Sequence, residues 1–103
     1  MPAYLIASYD ITDEDEYAKY NPGSIDLIMK TVGRHGGKVL AAGPDNDWFA
    51  GERAMIVLME FPSREAANAW ENDPDYRPAK EIRVGSTGNR FEAIAPEFVP
   101  PAD

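Results

Sequence analysis

Two stretches of this chain run without a polar residue, and they constrain the fold more than any motif does. They are Ala3-Tyr4-Leu5-Ile6-Ala7 and Ala54-Met55-Ile56-Val57-Leu58-Met59. Each is far too short to span a bilayer, and each is rich in the aliphatic and aromatic residues that favour strands. Successive side chains of a strand point to opposite faces of its sheet. The first stretch therefore sends Tyr4 and Ile6 one way and Leu5 and Ala7 the other. The second sends Met55, Val57 and Met59 one way and Ala54, Ile56 and Leu58 the other. A sheet with one wet face shows polar residues on it, and these strands show none.

The remaining elements follow from local signals. Ala3 to Tyr9 is the first strand, and Asp10 to Asp13 are expected to turn the chain. Asp13 and Glu16 have the spacing of a capping box, with Asp in place of Ser or Thr. A helix follows, with Tyr17 and Tyr20 in its opening turns. Asn21-Pro22-Gly23 must interrupt it, because proline lacks an N–H and disfavours helical backbone at the residue before it. Beyond the break, Ile25, Ile28, Met29 and Val32 fall at i, i+3, i+4 and i+7, one apolar stripe, and Gly36-Gly37 stops the helix.

Lys38 to Ala42 reads as the second strand, 43–51 as a long loop, and Arg53 to Phe61 as the third strand. Pro62 ends that strand. Ser63 caps a helix whose inward face is small except for Trp70. Asp73-Pro74 is expected to restart a helical piece, kinked by Pro78 and ending near Val84. Gly85 to Gly88 then turns into a last strand, Asn89 to Ala95.

The order β-α-β-β-α-β defines an α+β domain: a four-stranded antiparallel sheet with its helices on one face, the ferredoxin-like arrangement. In it the first and third strands are central, and these are the two that are apolar on both faces. Something must cover the helix-free face. A second copy, meeting it through a symmetric interface, is the economical answer, and a homodimer is expected. The domain is read as residues 1–95, and 96–103, with three prolines, as a tail over the surface or onto a neighbour.

Composition excludes several classes of function. With 18 acidic against 10 basic residues the net charge is −8, which argues against nucleic acid and anionic membrane surfaces as partners. There is no cysteine, so no disulfide, thiolate metal site or thiol nucleophile is possible. The start lacks a basic segment followed by a long apolar run, and a soluble, cytoplasmic protein is expected. Asp13-Glu14-Asp15-Glu16 are consecutive at a helix start and point in different directions, so they cannot converge on a metal. With one histidine, no metal and no cofactor is expected.

Several landmarks together resemble a known family. They are Tyr17 and Tyr20, His35-Gly36-Gly37, Glu60-Phe61-Pro62-Ser63, Ala66-x-x-x-Trp70, Pro74-x-Tyr76 and Arg83. In order and spacing they are similar to the domain-of-unknown-function 1330 family of the dimeric α/β-barrel superfamily, from Tyr4 to about Ala95. The resemblance implies a ferredoxin-like subunit and a dimer whose two sheets face each other. It implies no settled activity. The Asn21-Pro22-Gly23 break is a departure from the family's first helix.

The candidate site residues each carry two readings. His35, the lone histidine, is either a general base or a helix-end residue facing the terminal carbonyls. Tyr17 and Tyr20, three apart, either offer hydroxyls to a ligand between helix and sheet or cover the sheet edge. Trp70 is a core anchor that could also wall a ligand site. Trp48, in a polar loop beside Phe49, is expected to reach a partner. Glu60, on the strand face shared by Ile56 and Leu58, is expected to be solvated or paired, with Arg83 as the partner considered. Arg83 is otherwise an anchor for a ligand carboxylate.

Thus His35, Arg83 and Glu60 are the catalytic candidates, and Tyr17, Tyr20, Trp70 and Arg83 the ligand-binding ones. Two functions follow as expectations. One is a homodimer binding a small, partly aromatic or acidic organic molecule between sheet and helices, and acting by fold analogy as a cofactor-independent monooxygenase or isomerase. The other is a non-catalytic dimeric binding or interaction module whose polar residues are all structural.

Overall fold

A computed structural model describes residues 1–102. Asp103, the end of the expected tail, lies outside the described residues. The elements are β1 (Ala3–Ile11), α1 (Glu14–Ala18), α2 (Ile25–Arg34), β2 (Lys38–Gly43), β3 (Met55–Phe61), α3 (Arg64–Glu71), α4 (Arg77–Ser86) and β4 (Thr87–Pro96). The four strands form one antiparallel sheet in the order β2-β3-β1-β4. The two doubly apolar strands are therefore the central pair.

Their register separates the two faces. Leu5 opposes Met59, Ala7 opposes Val57 and Tyr9 opposes Met55. These side chains join Phe61, Ala67, Trp70, Tyr76, Ile28 and Val32 in the core beneath the helices. The intervening residues, Tyr4, Ile6, Ile56 and Leu58, project from the other face and stay partly exposed, with no helix over them. Leu40 on β2 and Phe91 on β4 are more exposed still.

Local chemistry differs from the sequence reading at four places. β1 does not turn at Asp10 but continues to Ile11 through an irregularity between Ser8 and Asp10. The Asp10 carboxylate fits there because it accepts hydrogen bonds from the Ala54 amide and the Asn89 side chain. The stripe on α2 is split: Ile28 and Val32 are buried, whereas Ile25 and Met29 are nearly half exposed. Their inward place is taken by Thr31, whose hydroxyl donates to backbone carbonyls of its own helix and accepts the Trp70 indole N–H at 3.1 Å.

Asp73-Pro74 opens a turn, not a helix, because the Asp73 carboxylate binds the Asp75 amide. α4 starts only at Arg77, with Pro78 in its first turn, where no N–H is needed and no kink results. Finally, no glycine turn separates α4 from β4. Ser86 ends the helix, Thr87 begins the strand, and the Ser86 carbonyl accepts from Thr12 and Asp13.

Other expectations hold. Asp13 caps α1 through the Glu16 amide and Ser63 caps α3 through the Ala66 amide. The break after α1 is where Asn21-Pro22-Gly23 puts it, and Gly23 is required: a Cβ there would lie 2.5 Å from the Lys19 carbonyl oxygen. No helix among the described residues is long and apolar enough to cross a membrane.

The Thr31–Trp70 bond yields a test. Thr31→Val keeps the shape but leaves a buried indole N–H without an acceptor. Urea denaturation should show a loss of about 1–3 kcal/mol. An unchanged midpoint would mean that this bond does not hold α2 to α3.

Candidate functional site

The break between α1 and α2 leaves room beneath the first helical layer, and a cavity of about 100 Å³ opens there. Its walls are Tyr9, Tyr17 and Tyr20, then Ile25, Ile28 and Met29 of α2, and Val39, Ala42, Met55, Val57 and Met59 of the sheet, with Asn21 at the break. No charged side chain lines it. Ile25 and Met29, the exposed half of the α2 stripe, are thus wall residues of the cavity and not surplus surface.

Tyr17 is fixed by the Asp13-capped turn and Tyr20 by the turn after it. Their rings lie 5.8 Å apart. Each hydroxyl meets another tyrosine: Tyr17 pairs with Tyr9 at 2.8 Å, and Tyr20 with Tyr76 at 2.9 Å. Tyr9 and Tyr76 were not singled out as site residues from the sequence. Tyr9 shares its strand face with Leu5 and Ala7, and Tyr76 lies 56 residues from Tyr20, so neither pairing has a local signature. Behind them Trp70 stacks on Tyr76 with ring centroids 4.2 Å apart and is wholly inside the core.

Arg83 is buried beside this cluster and bonds Glu92 of β4. Burial works against its charge, but Tyr76, Tyr20 and Glu92 together outweigh that and hold the guanidinium above its usual pKa. Burial pushes the Tyr9 and Tyr20 phenols up, and their tyrosine partners add to the effect. Burial also raises Tyr76, with Arg83 opposing. At neutral pH these groups are protonated phenols, fit to give hydrogen bonds and not to take protons. A recess of about 20 Å³ adjoins the cavity, bordered by Tyr9, Tyr20, Tyr76, Trp70, Glu71 and Arg83. Tyr17, Tyr20, Trp70 and Arg83 therefore come together, although the sequence places them on three different helical segments.

His35 and Glu60 do not join them. His35 caps α2, but its side chain does not face the helix carbonyls. Its Nε2 lies 2.8 Å from the Asp73 carboxylate, which also binds Arg34. A carboxylate outcompetes a carbonyl for such a donor. Because a carboxylate only accepts, His35 donates from Nε2. Glu60 is on the helix-free face, 3.2 Å from Lys38 across the β2–β3 ladder, so the sheet stands between it and Arg83. The Arg83 carboxylate partner is Glu92, not Glu60. Trp48 is half-buried in the loop and Phe49 fully exposed. A second groove of about 360 Å³ runs between α3, α4 and the sheet, bordered by Arg64, Asn68, Glu71, Lys80 and Glu92 and floored by Leu5, Ala93 and Ile94.

The fold and the tyrosine-walled cavity define a ferredoxin-like α+β protein with helices on one face of an antiparallel sheet. The chain belongs to the family described as domain of unknown function (DUF1330), whose sequence profile matches residues 2–95. Solved structures share the fold. A protein of unknown function from Rhodopseudomonas palustris is 19% identical, with a TM-score of 0.73 over 96% of this chain and 84% of its own. A dimeric ferredoxin-like protein of unknown function from Jannaschia is 13% identical, with a TM-score of 0.73 over 94% of this chain and 100% of its own. A candidate antibiotic biosynthesis monooxygenase from Nitrosomonas europaea is 14% identical, with a TM-score of 0.64 over 97% of this chain and 94% of its own. No curated protein matches the chain.

The Asp73 cluster has a pH consequence. Its carboxyl is held below the usual value of 3.8 by the His35 bond first, then by the Asp75 amide and Arg34. A lowered folded pKa gives stability that is present above the unfolded value and lost as pH falls through the folded one. Denaturation midpoints should therefore drop below about pH 4, and Asp73→Asn should flatten that drop while lowering the midpoint near neutrality. Equal acid profiles for the two proteins would remove Asp73 from the cause.

Proposed function

We propose that this chain forms a homodimer through the helix-free face of its sheet and binds a small organic molecule in the cavity between α2 and the sheet. The ligand reading rests on one observation: a cavity lined by no charged side chain, walled by aliphatic and methionine side chains, three tyrosines and Asn21. Core packing leaves few voids larger than a water, so a cavity of this size with exposed wall residues is a place for a guest. Tyr17 and Tyr20 form its wall, and Trp70 and Arg83 stand behind them. His35 and Glu60 have no part in it.

The dimer reading rests on Tyr4, Ile6, Ile56, Leu58 and Phe91, apolar side chains on the helix-free face of the sheet. The Jannaschia relative, described as dimeric, is consistent with a second copy as the cover. Catalysis without a cofactor is supported only by the likeness to a candidate monooxygenase, which is an argument from fold. The alternative is a non-catalytic dimeric module. It is favoured by the fact that His35, Glu60 and Arg83 each have their polar tip bound to a partner inside the chain. A cytoplasmic location completes the reading.

Two measurements test it. The protein should sediment as a dimer at micromolar concentration, and Leu58→Glu should shift it to a folded monomer; a monomeric parent protein would end the dimer reading. A metabolite panel should raise the melting temperature, by the equivalent of about 2.7 kcal/mol at a hundredfold excess over Kd. Ile28→Trp, which fills the cavity, should abolish that rise. Stabilisation that survives the filled cavity would place the ligand elsewhere.

A further inference from the structure

The layer between the sheet and the helices is not evenly filled. Three spaces lie in a row across it, and their walls overlap. The groove beside α3 and α4 lies over Leu5 of β1 and Ile94 of β4, which oppose each other in the ladder. The recess of about 20 Å³ comes next, over Ala7 of β1 and Val57 of β3. The cavity follows, over Val57 of β3 and Val39 and Ala42 of β2. Leu5 and Glu71 border both groove and recess, and Tyr9, Tyr20, Val57 and Met59 border both recess and cavity. The row thus follows the strand order from β4 to β2, three strand spacings or roughly 14 Å.

Charge is confined to one end of this row. No charged side chain lines the cavity, and only Glu71 and Arg83 border the recess. Glu71 is held by Lys80 at 3.1 Å, and Arg83 by Glu92. The one other charged residue of the groove is Arg64. It is exposed, and among the described residues it has no ion-pair partner. Arg64 stands two turns before Glu71 on α3, about 10 Å by helix rise, and does not border the recess. It therefore marks the outer end. Both acids of the groove are paired, so the site offers a free cation and no free anion. The recess has room for about one water-sized group, which suits a methylene chain and not a ring or a branch.

We propose that the row takes a straight-chain carboxylic acid, its carboxylate on Arg64 and its chain laid over Leu5, through the recess and into the cavity. This rests on the ligand-binding reading above and deepens it: the cavity holds the far end of the molecule and the groove its head. A guanidinium fork fits a carboxylate in both charge and geometry. An amine head would meet only acids that already have partners.

The test uses the full chain with methyl-labelled methionine. Met59 borders the recess and the cavity, Met29 and Met55 border the cavity alone, and exposed Met1 is the control. Straight-chain acids from hexanoate to tetradecanoate are titrated below their micelle concentrations, beside decanol and cyclohexane. Lengthening the chain should move the Met59 methyl first and those of Met29 and Met55 later. Each added methylene should tighten binding about fourfold until the cavity is full. Arg64→Gln, a change at an exposed position, should weaken decanoate about tenfold and leave decanol unchanged. Decanoate affinity that survives Arg64→Gln, or equal affinity for decanoate and decanol, overturns the proposal. So does a series in which Met29 and Met55 respond before Met59. If cyclohexane moves the cavity methyls and no acid does, the chain assignment falls alone. If no probe moves them, the ligand-binding reading falls and this one with it.

Discussion

The pairing of β1 with β3 is the constraint on which the rest depends. Both strands are apolar on both faces, so the register alone decides which side chains meet the helices. With Leu5 opposite Met59, Tyr9 comes under α1 and α2, where its hydroxyl finds Tyr17. A slip of one residue would turn Tyr4 and Ile6 inward and carry Tyr9 to the open face. The same pleat carries Glu60 away from Arg83. The cavity and the separation of the charged candidates are thus two results of one register.

Much of this was legible in the sequence. The doubly apolar strands, the two capped helices and the proline break are local features, and each was read correctly from side-chain period or turn chemistry. Most of the differences share a cause: a distant partner overrode a local signal. Asp73-Pro74 has the form of a helix start, but the Asp73 carboxylate is drawn to the Asp75 amide, His35 and Arg34. Gly85 to Gly88 has the composition of a turn, but the Ser86 carbonyl is tied to residues 12 and 13, which carries the chain straight from helix to strand. The α2 stripe marks helical period faithfully, yet period does not show which apolar residues face core and which face a cavity.

The site divides in the same way. Tyr17, Tyr20, Trp70 and Arg83 could be named because aromatic and basic residues on helices stand out. Their arrangement could not, since it depends on Tyr9 and Tyr76, one an unremarkable strand residue and the other the end of a turn. The six candidates fall into three places: four around the interior cavity, His35 at a helix end, and Glu60 on the open face. Only the first group has the burial that makes hydrogen bonds selective, because buried polar groups have no water to fall back on.

Arg83 is almost wholly buried on α4, and its carboxylate partner Glu92 sits on β4, the edge strand that follows directly. Removing the acid alone would strand a cation inside the domain, and removing the cation alone would empty the volume that it fills beside Tyr76 and Trp70. Across descendants of this sequence the two positions are therefore free to drift only as a couple. An Arg83 lost without Glu92 would mark a lineage in which the tyrosine cluster had been rebuilt.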